Sequence, residues 1–204
     1  MADYLLFGAD YSVYTRIPRL VLEEASATYR LEPVDIFAEG GPPADYLERQ
    51  PFAKIPALEH AGFRLFETDA IAHYIVETTG CDLVAGDEKT RARMRQIMRI
   101  ADNYAYPALV WGVFVAEVDS GEILSADAIT SARRVLDVIE SLMVGEMMVG
   151  DRITLADLWL VPMIDYFGRA PSGQRLLADY PKITKWFAAM ATRPSVMATA
   201  FPSD

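Results

Sequence analysis

Residues 4–7, Tyr-Leu-Leu-Phe, form a short apolar run that Gly8 ends, as a buried strand would. Apolar residues then recur at Val13, Ile17, Leu20 and Val21, a spacing that predicts a helix over 13–24. A second strand is expected around 29–36. Gly40-Gly-Pro-Pro43 suits neither a helix nor a strand interior and reads as a loop leading into a short helix over 44–50. Residues 56–66 read as a hairpin, because two apolar segments flank Ala61-Gly62 and the Gly supplies the positive φ of a two-residue turn. Thr68 opens another helix with apolar positions at Ile71, Tyr74 and Ile75, and Gly80 is its stop signal.

Beyond residue 80 the pattern changes. Residues 81–88 have no periodicity and read as a linker, and after them only helical spacings remain, over 89–117, 125–145, 154–168 and 182–192. The expectation is an α/β domain over 1–80 and an all-α domain over 89–204. The order strand, helix, strand, helix, hairpin, helix in the first is thioredoxin-like in outline.

Composition narrows the function classes. With 204 residues, 52 % of them hydrophobic, the chain can bury a core without disulfide or metal staples. Acidic residues outnumber basic ones by 29 to 19, and a net charge of −10 repels a phosphate backbone, so nucleic acid is not an expected partner. Cys81 is the only cysteine, which excludes an intrachain disulfide and a thiolate zinc site, and His60 and His73 alone make a histidine metal cluster unexpected. The first residues lack the basic flank and apolar core of a signal peptide. The longest apolar stretch, 105–116, is broken by Pro107 and Gly112 and falls short of the ~20 residues that cross a bilayer. These features suggest a cytoplasmic protein that does not span a membrane.

Three groups of residues carry candidate chemistry. In Thr154-Leu-Ala-Asp157, Thr at the N-cap and Asp three residues on form a capping box, a structural device at a helix start. In Lys54-Ile-Pro56, base rates favour a trans Ile-Pro bond. A cis bond would instead turn the backbone of Ile55 outward, free to pair with an extended peptide as an added strand does. Ser12 and Glu67-Thr68 each follow a strand at a helix start, where unpaired N–H groups and a partial positive charge suit anions. Ser12 and Thr68 also read as plain N-caps. The second possibility is that both helix starts meet at one sheet edge, one holding a thiolate and the other a carboxylate.

Together these segments resemble the soluble glutathione transferase family. Ser12-Val-Tyr-Thr-Arg16 with Arg19-Leu-Val-Leu-Glu-Glu24 resembles the segment carrying the catalytic serine in serine-type and bacterial members. Gln50-Pro-Phe-Ala-Lys-Ile-Pro-Ala-Leu58 resembles the stretch whose proline is cis in the family, and Phe66-Glu-Thr-Asp-Ala-Ile71 the one that grips the γ-glutamyl end of glutathione. Gly150 to Asp157 resembles the capping box of the family's central C-terminal helix, and Pro181 to Pro194 its closing helix. The likeness runs from about residue 4 to residue 197.

It implies the glutathione transferase fold, glutathione as co-substrate, no metal, a homodimer, a role in detoxification, and conjugation of the glutathione thiol to a small hydrophobic electrophile. Carried over by position, Ser12 would give its hydroxyl to the thiolate, with Tyr11 and Tyr14 as nearby rival hydroxyls. Ile55, before Pro56, would pair by backbone with the cysteinyl unit. Glu67 and Thr68 would bind the γ-glutamyl end, and Lys54 would help with the glycyl carboxylate. Lowering a thiol by two pKa units from ~8.5 takes ~2.7 kcal/mol. A hydrogen bond to the charged sulfur and a helix N-terminus together supply about that much. The second substrate is expected between the domains, in a pocket that includes Tyr11 and Tyr14, with Tyr106, Trp111 and Phe114 as candidates for its apolar wall or as ordinary helical core.

The chain departs from the family pattern in three places. Thr68 stands where Ser is usual, Gly40 to Pro43 fill a region where several relatives carry a basic residue, and Pro18 lies inside the first helix. Two other functions fit the same motifs: a non-catalytic interaction module of transferase fold, and a glutathione-dependent isomerase or dehalogenase.

Overall fold

The computed structural model describes residues 4–84 and 86–202. It divides into two compact units, one reaching to Asp82 and joined by the segment from Pro194 onward, the other Leu83–Arg193.

The first unit contains β1 (Tyr4–Gly8), α1 (Val13–Glu24), β2 (Tyr29–Pro33), β3 (Ala57–His60), β4 (Phe63–Phe66) and α2 (Thr68–Thr79). The strands form one sheet in the order β2-β1-β3-β4. β1 pairs parallel with β2, and β3 runs antiparallel to both β1 and β4. β2 ends at Pro33, short of the expected 36, and one more ladder-like bond, Val34 N to Gly8 O at 2.9 Å, follows it. The helix expected over 44–50 is a single tight turn, Tyr46–Glu48. In α1 the positions picked out by spacing, Val13, Ile17, Leu20 and Val21, are all buried, and the helix passes through Pro18 without ending. Gly80 takes the left-handed conformation that closes α2, its N–H returning to Val76 O at 2.9 Å.

The second unit is helical. α3 (Glu88–Ile100) is capped by the Asp87 carboxylate, which accepts from the N–H groups of Lys89 and Thr90, both at 2.9 Å. The helix expected to run uninterrupted to 117 instead widens into π-wound turns over Ala101–Asp119. Pro107 lies inside this stretch. A proline gives no N–H to the turn before it and its ring presses on the carbonyl four residues back, and wider turns relieve that conflict. α4 (Ala126–Leu142), α5 (Leu155–Arg169), α6 (Pro171–Leu177) and α7 (Pro181–Ala191) follow, and the short α8 (Pro194–Ala198) packs with the first unit.

α5 is the core helix, buried continuously from Leu155 to Ile164. At its start the buried Asp157 carboxylate accepts from Thr154 N and Oγ1 (2.8 and 2.9 Å), Met148 N (2.9 Å) and Trp186 Nε1 (2.9 Å). Burial pushes its pKa up, and these four donors pull the other way. The box expected from Thr154 and Asp157 is thus also a tie to α7 and to the loop before α5. α6 and α7 start at Ala170-Pro171 and Tyr180-Pro181, which offer no capping side chain. Glu117 accepts from Ser172 N at 2.9 Å, and Glu140 from Lys182 N at 2.7 Å, so acids from other helices cap both.

Candidate functional site

Strand register decides which segments share an edge. Phe7 of β1 lies opposite Ala57 of β3, and Ala57 opposite Phe66 of β4. Because β3 is antiparallel to both neighbours, the exits of β1 and β4 and the entry of β3 fall on the same edge. From that edge emerge the turn to Ser12, the Ile55–Pro56 bond and the Glu67-Thr68 step into α2. Candidates far apart in sequence are therefore gathered by topology alone.

At the first exit, Ser12 N donates to Ala9 O at 3.1 Å, turning the chain into α1. Ser12 is the N-cap: its extended backbone (φ −81°, ψ 125°) aims Oγ at Thr15 N, 3.2 Å away. This uses one acceptor lone pair of the hydroxyl and leaves its proton to give. Thr15 packs so closely on Gly8 that a Cβ there would lie 2.3 Å from Thr15 Oγ1, so β1 must end in Gly for α1 to start where it does. Tyr11 is partly exposed and faces the Phe37 ring at 6.3 Å, while Tyr14 is half-buried. Burial raises the Tyr11 phenol pKa, with the Asp35 and Asp10 charges adding to it.

At the second segment the Ile55–Pro56 bond is cis, against the base rate and as the family resemblance implies. Ile55 packs against the cluster of Val34, Tyr46 and Ala57, and the buried Tyr46 hydroxyl donates to Lys54 O at 2.6 Å. Burial holds the Tyr46 phenol neutral. Lys54 itself is exposed.

At the third, Glu67 is the N-cap residue of α2, with φ 72° and ψ 116°. Thr68, read from sequence as a possible N-cap, is instead the first residue of the helix and is buried. The Glu67 side chain makes no capping bond and is exposed. A non-glycine residue held at positive φ costs about 1–3 kcal/mol and is typical of ligand clamps. No sequence pattern marks Glu67 as strained.

The remaining candidates lie in the second unit. Tyr106 and Trp111 meet edge to face at 6.4 Å and 88° on the π-wound stretch, whose buried face is Ala101, Ala105, Leu109, Val110 and Val113. Trp111 is 48 % exposed, so it is not part of that core. Burial pushes the Tyr106 phenol pKa up. No helix among the described residues is long and apolar enough to cross a membrane. No group of three or more His, Cys, Asp or Glu among them could hold a metal ion.

Residues 2–77 match the glutathione S-transferase N-terminal domain, and residues 104–194 the glutathione S-transferase C-terminal domain. Glutathione S-transferase 1 of Triticum aestivum is 29 % identical over 96 % of this chain and 93 % of its own length. The probable glutathione S-transferase GSTF2 of Oryza sativa subsp. japonica is 30 % identical over 96 % and 94 %. A solved structure of glutathione S-transferase I bound with lactoylglutathione is 26 % identical, covers 98 % of this chain and 99 % of its own, and superposes with a TM-score of 0.83. The architecture is accordingly the glutathione transferase fold, a thioredoxin-like unit with a four-stranded sheet and a helical unit. The chain belongs to the glutathione S-transferase family, enzymes whose co-substrate is glutathione. These two relatives are plant transferases, so the bacterial kinship expected from the Ser12 segment is not supported.

Proposed function

We propose that the chain conjugates glutathione to a small hydrophobic electrophile, with the peptide laid along the sheet edge and its thiolate held by the Ser12 hydroxyl. The observation that carries this reading is the shared edge of Ser12, cis Pro56 and strained Glu67. In this arrangement Ser12 donates its free proton to sulfur, helped by the positive end of α1. The backbone of Ile55 pairs with the cysteinyl unit, Glu67 and Thr68 take the γ-glutamyl amine and carboxylate, and Lys54 takes the glycyl carboxylate. Catalysis then consists of keeping the thiol ionised near neutral pH and holding two substrates together. Tyr106 and Trp111 supply apolar surface for the electrophile. A cytoplasmic homodimer is the form proposed, and the mass from light scattering on the purified chain checks the dimer.

The test is glutathione binding followed by ultraviolet titration of the bound thiol in wild type, Ser12→Ala, Tyr11→Phe and Tyr14→Phe. The bound thiol pKa should rise by about one to two units in Ser12→Ala, the loss of a hydrogen bond to a charged group. It should stay put in the two Tyr variants. Absence of binding at millimolar glutathione would overturn the enzyme reading, and an unmoved pKa in Ser12→Ala would remove Ser12 from its role.

A further inference from the structure

α1 carries Ser12 at its start, yet Pro18 deprives it of an internal bond. With no N–H at 18, the bond back to the carbonyl of residue 14 is missing, so the first turn is tied less firmly to the rest of the helix. That turn is held from outside. On one side Thr15 packs on Gly8. On another lies the segment from Pro194 to Phe201, which runs antiparallel to α1.

Contacts at three points along α1 fix the direction of this segment. Ser195 Oγ donates to the Glu24 carboxylate at the far end of α1. Midway, Arg19 donates to Ala198 O at 3.4 Å. Nearest the site, the Arg16 guanidinium, 1 % exposed, donates to Thr199 Oγ1 at 3.4 Å and Val196 O at 3.3 Å. The same guanidinium lies over the buried Phe201 ring, 4.3 Å from its centroid. Arg16 N in turn donates to Ser12 O at 2.9 Å. The Ser12 turn is thus joined through one residue to a strap from the other end of the chain.

We propose that Arg16 is a positioning residue, and that the strap Pro194–Phe201 sets the aim of the Ser12 hydroxyl by fixing the first turn of α1. The inference rests on the reading of Ser12 as the thiolate donor. A hydroxyl aimed at sulfur loses much of its effect once it bends away from linear, since hydrogen bonds weaken steeply below ~120°. Loosening the strap should therefore act on thiol ionisation more than on glutathione affinity, which the proposal assigns largely to β3 and α2.

Two mild substitutions test this: Phe201→Leu, which keeps an apolar side chain but removes the ring face, and Thr199→Val, which removes one acceptor of Arg16. Circular dichroism and the thermal midpoint establish that each is folded. The bound thiol pKa should rise by about half a unit to one unit in each, so kcat falls several-fold below the new pKa and recovers at alkaline pH. KM for glutathione should change less than about twofold, a split that general loss of structure would not give. In a Ser12→Ala background the same substitutions should add nothing to the pKa. An unmoved pKa in folded Phe201→Leu and Thr199→Val, with Ser12→Ala still raising it, overturns the strap and leaves Ser12 in place. An unmoved pKa in Ser12→Ala overturns both.

Discussion

Glu67 holds a φ of 72° at the start of α2 with its side chain exposed and no capping bond to show for it. Relieving that strain separates its stability role from its binding role. Glu67→Gly should leave the protein about 1 kcal/mol more stable in urea unfolding, because Gly takes positive φ without a Cβ penalty. It should also weaken glutathione binding about tenfold or more, the loss of a charged hydrogen bond, as read by calorimetry. A variant less stable and equally tight would contradict both halves. Ser12 and Glu67 also mark the limit of legibility for single residues. The cap at Ser12 is a local choice among a few residue types, so the sequence exposes it. The φ of Glu67 is imposed by how β4 delivers the chain into α2, and nothing in a Glu announces that.

Elements divide in the same way. α1 and α2 are legible because one apolar face and one local cap define each of them, and α5 because a capping box opens a long apolar run. α6 and α7 are capped by Glu117 and Glu140, acids tens of residues away, so nothing at their own starts shows how those N–H groups are met. Pro107 is visible as an interruption, but whether a helix breaks or widens there depends on the packing of the buried face around it. The sequence shows Asp157 as half of a capping box and gives no sign of its bonds to Met148 and Trp186. Asp157→Ala should cost about 3 kcal/mol or more in urea unfolding, since buried donors lose their acceptor. Asp157→Asn, which retains one carbonyl oxygen, should cost less. A loss no larger than that of a surface cap would show the long-range bonds to be idle.

The cap of α3 gives a pH dependence with a definite sign. The backbone N–H of Thr90, with its hydroxyl, lowers the Asp87 carboxyl below its usual range. Its stabilising effect is therefore complete above the unfolded value near 3.9 and is lost as pH falls through the lower folded value. Protection of the Lys89 and Thr90 amides against hydrogen exchange, relative to an unstructured chain at the same pH, should fall on acidification below about pH 4, and Asp87→Asn should flatten that response. A response that survives the substitution would point to another group.

For the whole molecule, the patterning shifts from mixed to helical after residue 80, and the second compact unit starts at Leu83. Nothing in that shift says that the segment from Pro194 belongs with the unit made first. It is short, and its main partners Arg16, Arg19 and Glu24 read from sequence as parts of an ordinary amphipathic helix. That attachment bears on order of assembly. The sheet and α1 leave the ribosome early, yet the piece that clasps α1 follows only after all the helices of the second unit have been translated. A nascent chain arrested before Pro194 thus exposes the Arg16 face of α1 to water, and the unit synthesised first is the last to be completed.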